Sequence, residues 1–599
     1  MPFPEIDDQD VSASSSIFSE VLMLEPHVDT KFGGLEGYIM RTTAGRRIYA
    51  YEGVPYATPP ITPALRFRPS IPKEPWGGMR EAKKPGPECL QLSPPKVLRV
   101  VGNEDCLYLN VYTPQVFKIK ALTCSLQYLG QIFVLKLMLN FKIPYIDGKG
   151  RQVFFEPFPV IIWIHGGSYY FGSGDEVGPS YLLDRDVILV TFNYRLGVLG
   201  FLSTGDHASP GNWGLKDQAL AIKWVYENIH SFGGDPNRIS IMGHSSGAAS
   251  AHLHLIANKT TQYFQSGASF SGSAFTHWAI KSPKEAKRLA ETLAFKVNCN
   301  NPDTEVMVEC FRNKNPVELV SAQYRLLEFA PFPVTLFSPV IEAPDFAAYL
   351  TKRPDAAYAL NEVDSKPWMF TTTSQEGYLG ILFLQSFFTE GILRSKWDEL
   401  APIFLDYKYT ANNVTETTER VTRFYFGSNS PLTVSQSRIA AAFGDRLFMP
   451  GIHQAIKTHS FIAPTYAYVF GYKGKYSLGS LVGRLPSEWG TQHQDDVMYF
   501  LNSSFYYPGF KRDDLDEHTL SNVMTSVITN FAAKGEPLLT QPNKVNVRIW
   551  DPVDPSNIHY LLLNRDIRMI PEPYKKRINF WMYLGQTDPS LINPLYDII

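Results

Sequence analysis

The sequence predicts an α/β fold built on a largely parallel sheet. Two continuous apolar runs, Val160–Ile164 and Val187–Phe192, are typical of strands that are buried on both faces. The segment Gln218–His230 places its apolar residues at helical spacing, and Ile239 and Ile241 then alternate with smaller or polar residues as in a strand. Because strands alternate with a helix, the chain predicts βαβ units.

Composition narrows the possible functions. The 599 residues are 44% hydrophobic, which is ample for a large core, and the net charge of −2 gives no footprint for nucleic acid or an anionic membrane. No apolar run reaches the ~18 residues of a membrane-spanning helix. Residues 1–26 predict a flexible leader, and its acidic start, Met1–Asp8, lacks the basic and apolar parts of a signal peptide. A cytosolic protein with free thiols is therefore the alternative to a secreted one.

Cysteines and glycosylation sequons point to an oxidising compartment. Two close cysteine pairs, 89/106 and 299/310, each suit a small disulfide loop, which leaves Cys124 unpaired. No cysteine or histidine spacing is typical of a zinc site. Sequons begin at Asn258, Asn413 and Asn502, and they are compatible with secretion of a glycoprotein.

A possible nucleophile lies directly after the strand that contains Ile239 and Ile241. Gly243–Gly247 reads Gly-His-Ser-Ser-Gly and matches G-x-S-x-G, the pattern of a sharp strand-to-helix turn that exposes the hydroxyl of its serine, here Ser245. Such a match arises by accident about 0.2 times in a chain of this length. A glycine-rich turn is therefore the alternative, and the partner residues decide between the two.

Several further motifs resemble one known family. Together with the serine motif they are similar to the type-B carboxylesterases, which include cholinesterases, insect esterases and the non-catalytic neuroligins, from about Thr30 to the C-terminus. This resemblance implies an α/β-hydrolase fold, a single domain over 27–599 with one large, mostly parallel mixed sheet and helices on both faces. The motifs are Glu104–Asn110, Trp163–Tyr169, Asn193–Phe201, Gly214–Gln218 and Phe232–Pro236.

A serine hydroxyl needs a base, and the base needs an orienting carboxylate. Glu376 stands on a turn after the strand-like Pro367–Thr373 and resembles the acid motif of the family. His493 follows the strand-like Tyr466–Gly471 and resembles the histidine loop of the family. The order Ser245, Glu376, His493 is that of α/β-hydrolases. A solvated turn glutamate and a surface histidine are the alternatives from local sequence alone.

The loop after Ile164 resembles the oxyanion loop of the family. By this resemblance the backbone amides of Gly167, Ser168 and Ser246 donate to the tetrahedral intermediate. Ser168 stands where a third glycine is usual and predicts a narrower acyl pocket, and Ser246 replaces a more usual alanine. His244 stands where an acid or glutamine is more usual, and we expect it to point away from the hydroxyl.

The resemblance also implies supporting features. It pairs Cys89 with Cys106 and Cys299 with Cys310, and either Ser271 or Ser273 supports Glu376, with a plain turn role equally open. Between Thr113 and Phe158 the chain departs from the family. The apolar stretch at about 114–152, which contains Cys124, predicts an atypical, loosely ordered insertion.

The sequence thus predicts a secreted serine carboxylesterase that hydrolyses small-molecule esters through an acyl-enzyme, without a metal or organic cofactor. Cholinesterases carry a tryptophan in the corresponding loop, where it stacks on the quaternary ammonium of the substrate. The segment Leu90–Asp105 has no tryptophan, so the resemblance argues against choline esters as substrates. Pheromone, hormone, xenobiotic and dietary esters remain open, as does the oligomeric state. The alternatives are a non-catalytic adhesion or signalling protein on the same fold, and a product that the insertion inactivates.

Overall fold

The computed structural model of the protein describes most of the chain from residue 26 onward. The predicted leader and the greater part of the predicted insertion, including Cys124, lie outside the described residues. The described residues are 26–92, 99–114, 145–146, 152–153, 156–345, 347–479, 489–507, 510, 515–539 and 550–587.

Strands form the frame of the molecule. They are β1 His27–Thr30, β2 Gly33–Glu36, β3 Tyr38–Arg41, β4 Arg47–Pro55, β5 Met79–Glu81, β6 Gln91–Leu92, β7 Val100–Val101, β8 Tyr108–Thr113, β9 Tyr145–Ile146, β10 Gln152–Val153, β11 Phe158–Ile164, β12 Ile188–Phe192, β13 Gly234–His244, β14 Ser266–Phe270, β15 Trp368–Thr373, β16 Thr465–Phe470, β17 His559–Leu563 and β18 Arg568–Pro571.

Helices pack around this frame. They are α1 Gly197–Phe201, α2 Trp213–Asn228, α3 Ser246–Ala257, α4 Pro283–Lys296, α5 Thr304–Asn313, α6 Pro316–Ala322, α7 Pro354–Ala359, α8 Tyr378–Ser386, α9 Glu390–Ser395, α10 Trp397–Phe404, α11 Val414–Phe426, α12 Gln436–Leu447, α13 Met449–His459, α14 Leu515–Lys534 and α15 Lys575–Thr587. Among the described residues, no helix is both long and apolar enough to cross a bilayer.

Eleven of the described strands form one large mixed sheet, with helices on both faces, as the family resemblance implied. Its order is β18-β17-β16-β15-β14-β13-β11-β12-β8-β4-β3. The strands from β12 to β17 are parallel, and antiparallel strands flank them on both sides. Residues of β12, β14, β15 and β16 are buried along their full length. The two apolar runs of the sequence lie in β11 and β12. Parallel strands that are covered on both faces need apolar residues throughout, which explains these runs.

This topology sets the position of the candidate residues. Ser245 follows β13, Glu376 follows β15, and His493 lies in the segment after β16. Strands β13 to β16 are parallel neighbours, so their carboxyl ends meet at one edge of the sheet. Three residues that are far apart in sequence are therefore brought to one rim.

Residues of the family motifs hold the frame together. Glu104 accepts two hydrogen bonds from the Arg66 guanidinium, at 2.7 and 2.8 Å. Asn110, in β8, accepts a bond from the Gly53 amide at 3.0 Å and donates to Thr191 in β12 at 3.1 Å. These residues are buried or nearly so, and such bonds satisfy polar groups that burial would otherwise leave unpaired.

Two disulfides close the loops that the sequence singled out. Cys89 is bonded to Cys106 and Cys299 to Cys310, as the resemblance implied. The first bond closes a loop with a sequence separation of 17 residues, which begins ahead of β6 and ends ahead of β8. A cross-link of this kind removes conformations from the unfolded chain.

Replacing Cys89 and Cys106 together with serine is expected to lower the free energy of unfolding by about 3 kcal/mol, the entropy of a loop of this length. Urea unfolding at fixed pH measures the change. The oxidised wild-type protein and the variant under reducing conditions serve as controls. An unchanged unfolding midpoint would contradict the expectation.

Candidate active site

Ser245 occupies a strained turn between β13 and α3. Its backbone has φ 56° and ψ −120°, a conformation that costs a non-glycine residue about 1–3 kcal/mol. Its amide donates to the Phe270 carbonyl of β14 at 2.8 Å. A Cβ on Gly247 would lie 2.1 Å from the Ile164 oxygen, and one on Gly243 would lie 2.4 Å from the Gly247 oxygen. Both glycines are therefore required, while Ser245 itself stays partly exposed among buried neighbours.

A short hydrogen bond joins Glu376 and His493. His493 Nδ1 lies 2.6 Å from Glu376 Oε2, and the two side chains are only 5% and 1% exposed. Burial alone would raise the pKa of Glu376. The charge of His493 and its hydrogen bond outweigh that effect and, with further donors, keep this pKa below its ordinary value. The carboxylate is therefore ionised and accepts the Nδ1 proton, which leaves Nε2 of His493 free for a second partner.

The other oxygen of Glu376 is also fully engaged. Oε1 accepts bonds from Ser271 Oγ at 2.6 Å, the Thr373 amide at 2.7 Å and Thr372 Oγ1 at 3.0 Å. Of the two serines proposed for this support, Ser271 fulfils it, whereas Ser273 donates to the Gly451 carbonyl instead. The two threonine contributions were not predicted from the sequence.

The buried carboxylate of Asp495 holds the loop that carries His493. Asp495 accepts bonds from the amides of Gln492 and Leu478, both at 2.8 Å, and from Ser477 Oγ at 2.7 Å. Burial raises the pKa of Asp495 to about 7, although these three donors oppose the shift. The loop is thereby tied on both sides of the imidazole.

Two aromatic rings pack against the His493 imidazole. The Phe448 ring centroid is 4.7 Å from it and the His244 centroid is 4.4 Å from it, with interplanar angles of 40° and 50°. The sequence predicted only that His244 points away from the hydroxyl of Ser245. The contact between the two histidine rings carries no sequence signal, because it joins segments that are 249 positions apart.

The loop after β11 presents backbone donors beside the nucleophile. Gly167 and Ser168 have φ values of 103° and 56°, and a Cβ on Gly166 would lie 3.2 Å from Cβ of Ser245. In the part of the chain that is described, the amides of Gly167 and Ser168 donate to no backbone acceptor. Ser246 is the first residue of α3, so its amide has no acceptor within the helix. Among the described residues, the three amides expected from the sequence thus have no backbone acceptor.

The side chain of Ser246 has a contact that its alanine counterpart would lack. Its Oγ accepts a hydrogen bond from the amide of Tyr169 at 3.3 Å, and Tyr169 has a φ of 64°. The hydroxyl therefore ties the start of α3 to the strained loop of amides. The sequence showed that Ser246 replaces the alanine that is usual in the family, but it gave no reason for this replacement.

The sequon asparagines differ in exposure. Asn258 and Asn413 are exposed, and Asn413 caps α11 by accepting a bond from the Glu416 amide. Asn502 is half-buried, and its Oδ1 accepts a bond from the Ser180 amide at 2.7 Å. Within the described ranges, no group of three or more histidine, cysteine or acidic side chains is placed to hold a metal ion.

A serine on such an elbow of an α/β sheet, at the same sheet edge as a carboxylate-bound histidine, is the arrangement of the serine hydrolase class. The chain belongs to the carboxylesterase family, whose model matches residues 24–581. The protein is therefore a carboxylic ester hydrolase.

Similar proteins come from insects. A carboxylic ester hydrolase of Bombus ignitus is 33% identical over 573 residues, which cover 93% of each chain. Esterase E4 of Myzus persicae is 34% identical and covers 88% of this chain and 89% of its own. The crystal structure of juvenile hormone esterase from Manduca sexta, with OTFP covalently attached, has a TM-score of 0.78 and 26% identity, and it covers 94% of this chain and 100% of its own.

Replacing Ser246 with alanine is expected to lower kcat about 5-fold and to leave KM unchanged. The Tyr169 amide loses its acceptor, which is worth about 1 kcal/mol, and the loop is less well ordered when the oxyanion forms. Steady-state kinetics on an aryl ester measure the change. Ser240→Ala is the matched control, because this buried serine of β13 bonds only Ser266 among its described partners. An equal loss in both variants would contradict the role.

Replacing Glu376 with glutamine is expected to make the stability of the fold less sensitive to acid pH. The depressed pKa of Glu376 stabilises the fold above the unfolded value of about 4.3, and this stability is lost as the pH falls through the folded pKa. The melting temperature of the wild type should therefore fall more between about pH 5 and pH 3 than that of the variant. The exposed Glu419→Gln is the control and should follow the wild type.

Proposed function

We propose that Ser245, His493 and Glu376 form the catalytic triad of this esterase, and that it hydrolyses esters through an acyl-enzyme. The observation that carries the proposal is the buried 2.6 Å bond between Glu376 and His493 at the sheet edge where Ser245 stands on its elbow.

Acylation begins with attack by Ser245 Oγ on the carbonyl carbon of the ester. His493 Nε2 takes the hydroxyl proton, and ionised Glu376 stabilises the imidazolium through Nδ1. The carbonyl oxygen gains negative charge and accepts bonds from the amides of Gly167, Ser168 and Ser246. The tetrahedral intermediate then expels the alcohol, which leaves with the proton from His493.

Deacylation repeats these steps with water. His493 removes a proton from a water molecule, which attacks the acyl carbonyl while the same amides stabilise the oxyanion. Ser245 recovers its proton from His493, and the carboxylic acid leaves. Each proton and each developing charge is thus served by a group of this chain, and no cofactor is required by the scheme.

We further propose that the protein is secreted and glycosylated. Two disulfides suit an oxidising compartment, and Asn258 and Asn413 are exposed enough to accept a glycan. At Asn502 the amide side chain is held against residues 178–180, so we expect the least glycan there. The buried side chain of Ser168 supports a narrow acyl pocket, and hence small acyl groups.

Labelling with a fluorophosphonate probe tests the nucleophile. We expect the wild type to be labelled and to hydrolyse a simple aryl ester, and Ser245→Ala to do neither, since no other residue supplies the attacking oxygen. Ser266→Ala, in β14, is the control and should be labelled like the wild type. Equal labelling of Ser245→Ala would refute the assignment, and would favour the non-catalytic or inactivated alternatives if turnover were also absent.

A further inference from the structure

We propose that His244 is a positioning residue for the base, holding the ring of His493 where it can exchange a proton with Ser245. This role rests on the proposed function. His244 is the last residue of β13 and directly precedes the nucleophile, so one short segment controls both the hydroxyl and the imidazole that serves it.

The contacts of His493 leave its ring little freedom. Glu376 fixes one nitrogen at 2.6 Å, and the rings of His244 and Phe448 pack against the imidazole at 4.4 and 4.7 Å. A hydrogen bond at Nδ1 alone permits rotation about the bond axis and tilting of the ring. Two packed rings restrict both movements, which matters because small misplacement of a catalytic group costs rate steeply.

His244 is itself held firmly. It is 4% exposed, and its strand pairs with β14 through His244 and Phe270. A Cβ on Gly166 would lie 2.8 Å from the His244 oxygen and 3.3 Å from its Nδ1, so the ring also lies close to the loop of amides. The side chain therefore lies next to the base, the nucleophile and the oxyanion loop.

A ring nitrogen of His244 is buried without a partner. Among the described residues, its Nε2 has no hydrogen bond, and a buried polar atom without a partner lowers stability. A phenylalanine would fill the same space without this cost. The packing contact, rather than a hydrogen bond, is therefore what the structure assigns to this side chain.

The neutral state of the His244 ring is suited to a position beside a base. Burial, and then the charge of His493, hold the pKa of His244 well below its usual value, so the ring stays neutral. Among the described residues, Glu376, which binds His493, and Asp496 in the same loop also interact with its charge. His493 can thus gain a proton in each cycle without repulsion from its neighbour.

Three variants of His244 test the proposal. His244→Ala removes the ring, and we expect kcat and the rate of fluorophosphonate labelling to fall about 30-fold while KM changes less than 2-fold. His244→Phe keeps the ring and should restore both rates to within about 3-fold of the wild type. His244→Glu places a carboxylate beside the imidazole, and the acidic limb of kcat/KM should move about one unit to higher pH.

His252→Phe is the matched control, because it replaces another buried histidine whose ring contacts among the described residues do not include His493. It should lower the melting temperature without lowering kcat per labelled enzyme. The proposal is overturned if His244→Ala keeps its kcat, if His244→Phe fails as His244→Ala does, or if His244→Glu leaves the pH profile unmoved. If the proposed function itself is wrong, the result is a different one: the Ser245→Ala variant would keep the activity of the wild type.

Discussion

The hydrogen bond between Glu376 and His493 is the interaction on which the rest of the site depends. An ionised carboxylate that is almost completely buried is costly unless it is paired and hydrogen-bonded. Here four donors supply that compensation, and three of them come from the end of β15 and the residue that follows β14. Hydrogen bonds from the sheet thus stabilise the ionised Glu376, and Glu376 in turn stabilises His493.

The parallel order of the strands explains why such an arrangement is possible. Each strand from β13 to β16 delivers its carboxyl end to one rim, where the chain must turn. At β13 the turn is so tight that Gly243 and Gly247 leave no room for a side chain, and Ser245 adopts an unfavourable backbone conformation. The stability of the buried sheet supports that strain, which a loop on its own would relax.

Much of this was predictable from the sequence, because it depends on local pattern. The apolar runs of β11 and β12, the elbow around Ser245 and the chain order of the proposed triad all leave signatures within a few residues. The ring contact of His244, the bond of Ser246 to Tyr169 and the choice of Ser271 over Ser273 do not. Each of these joins side chains whose distance is set by packing between separate elements, so no spacing in the sequence records it.

Three departures of this chain from its family lie around the nucleophile, and they share one physical property. Ser168, Ser246 and His244 change side chains, whereas the proposed oxyanion donors are backbone amides. A substitution at these positions can therefore alter the width of the pocket, the rigidity of the loop or the hold on the base without removing a donor. The chemistry that we propose for this chain depends on the backbone at these three positions, so their side chains can differ from those of the family.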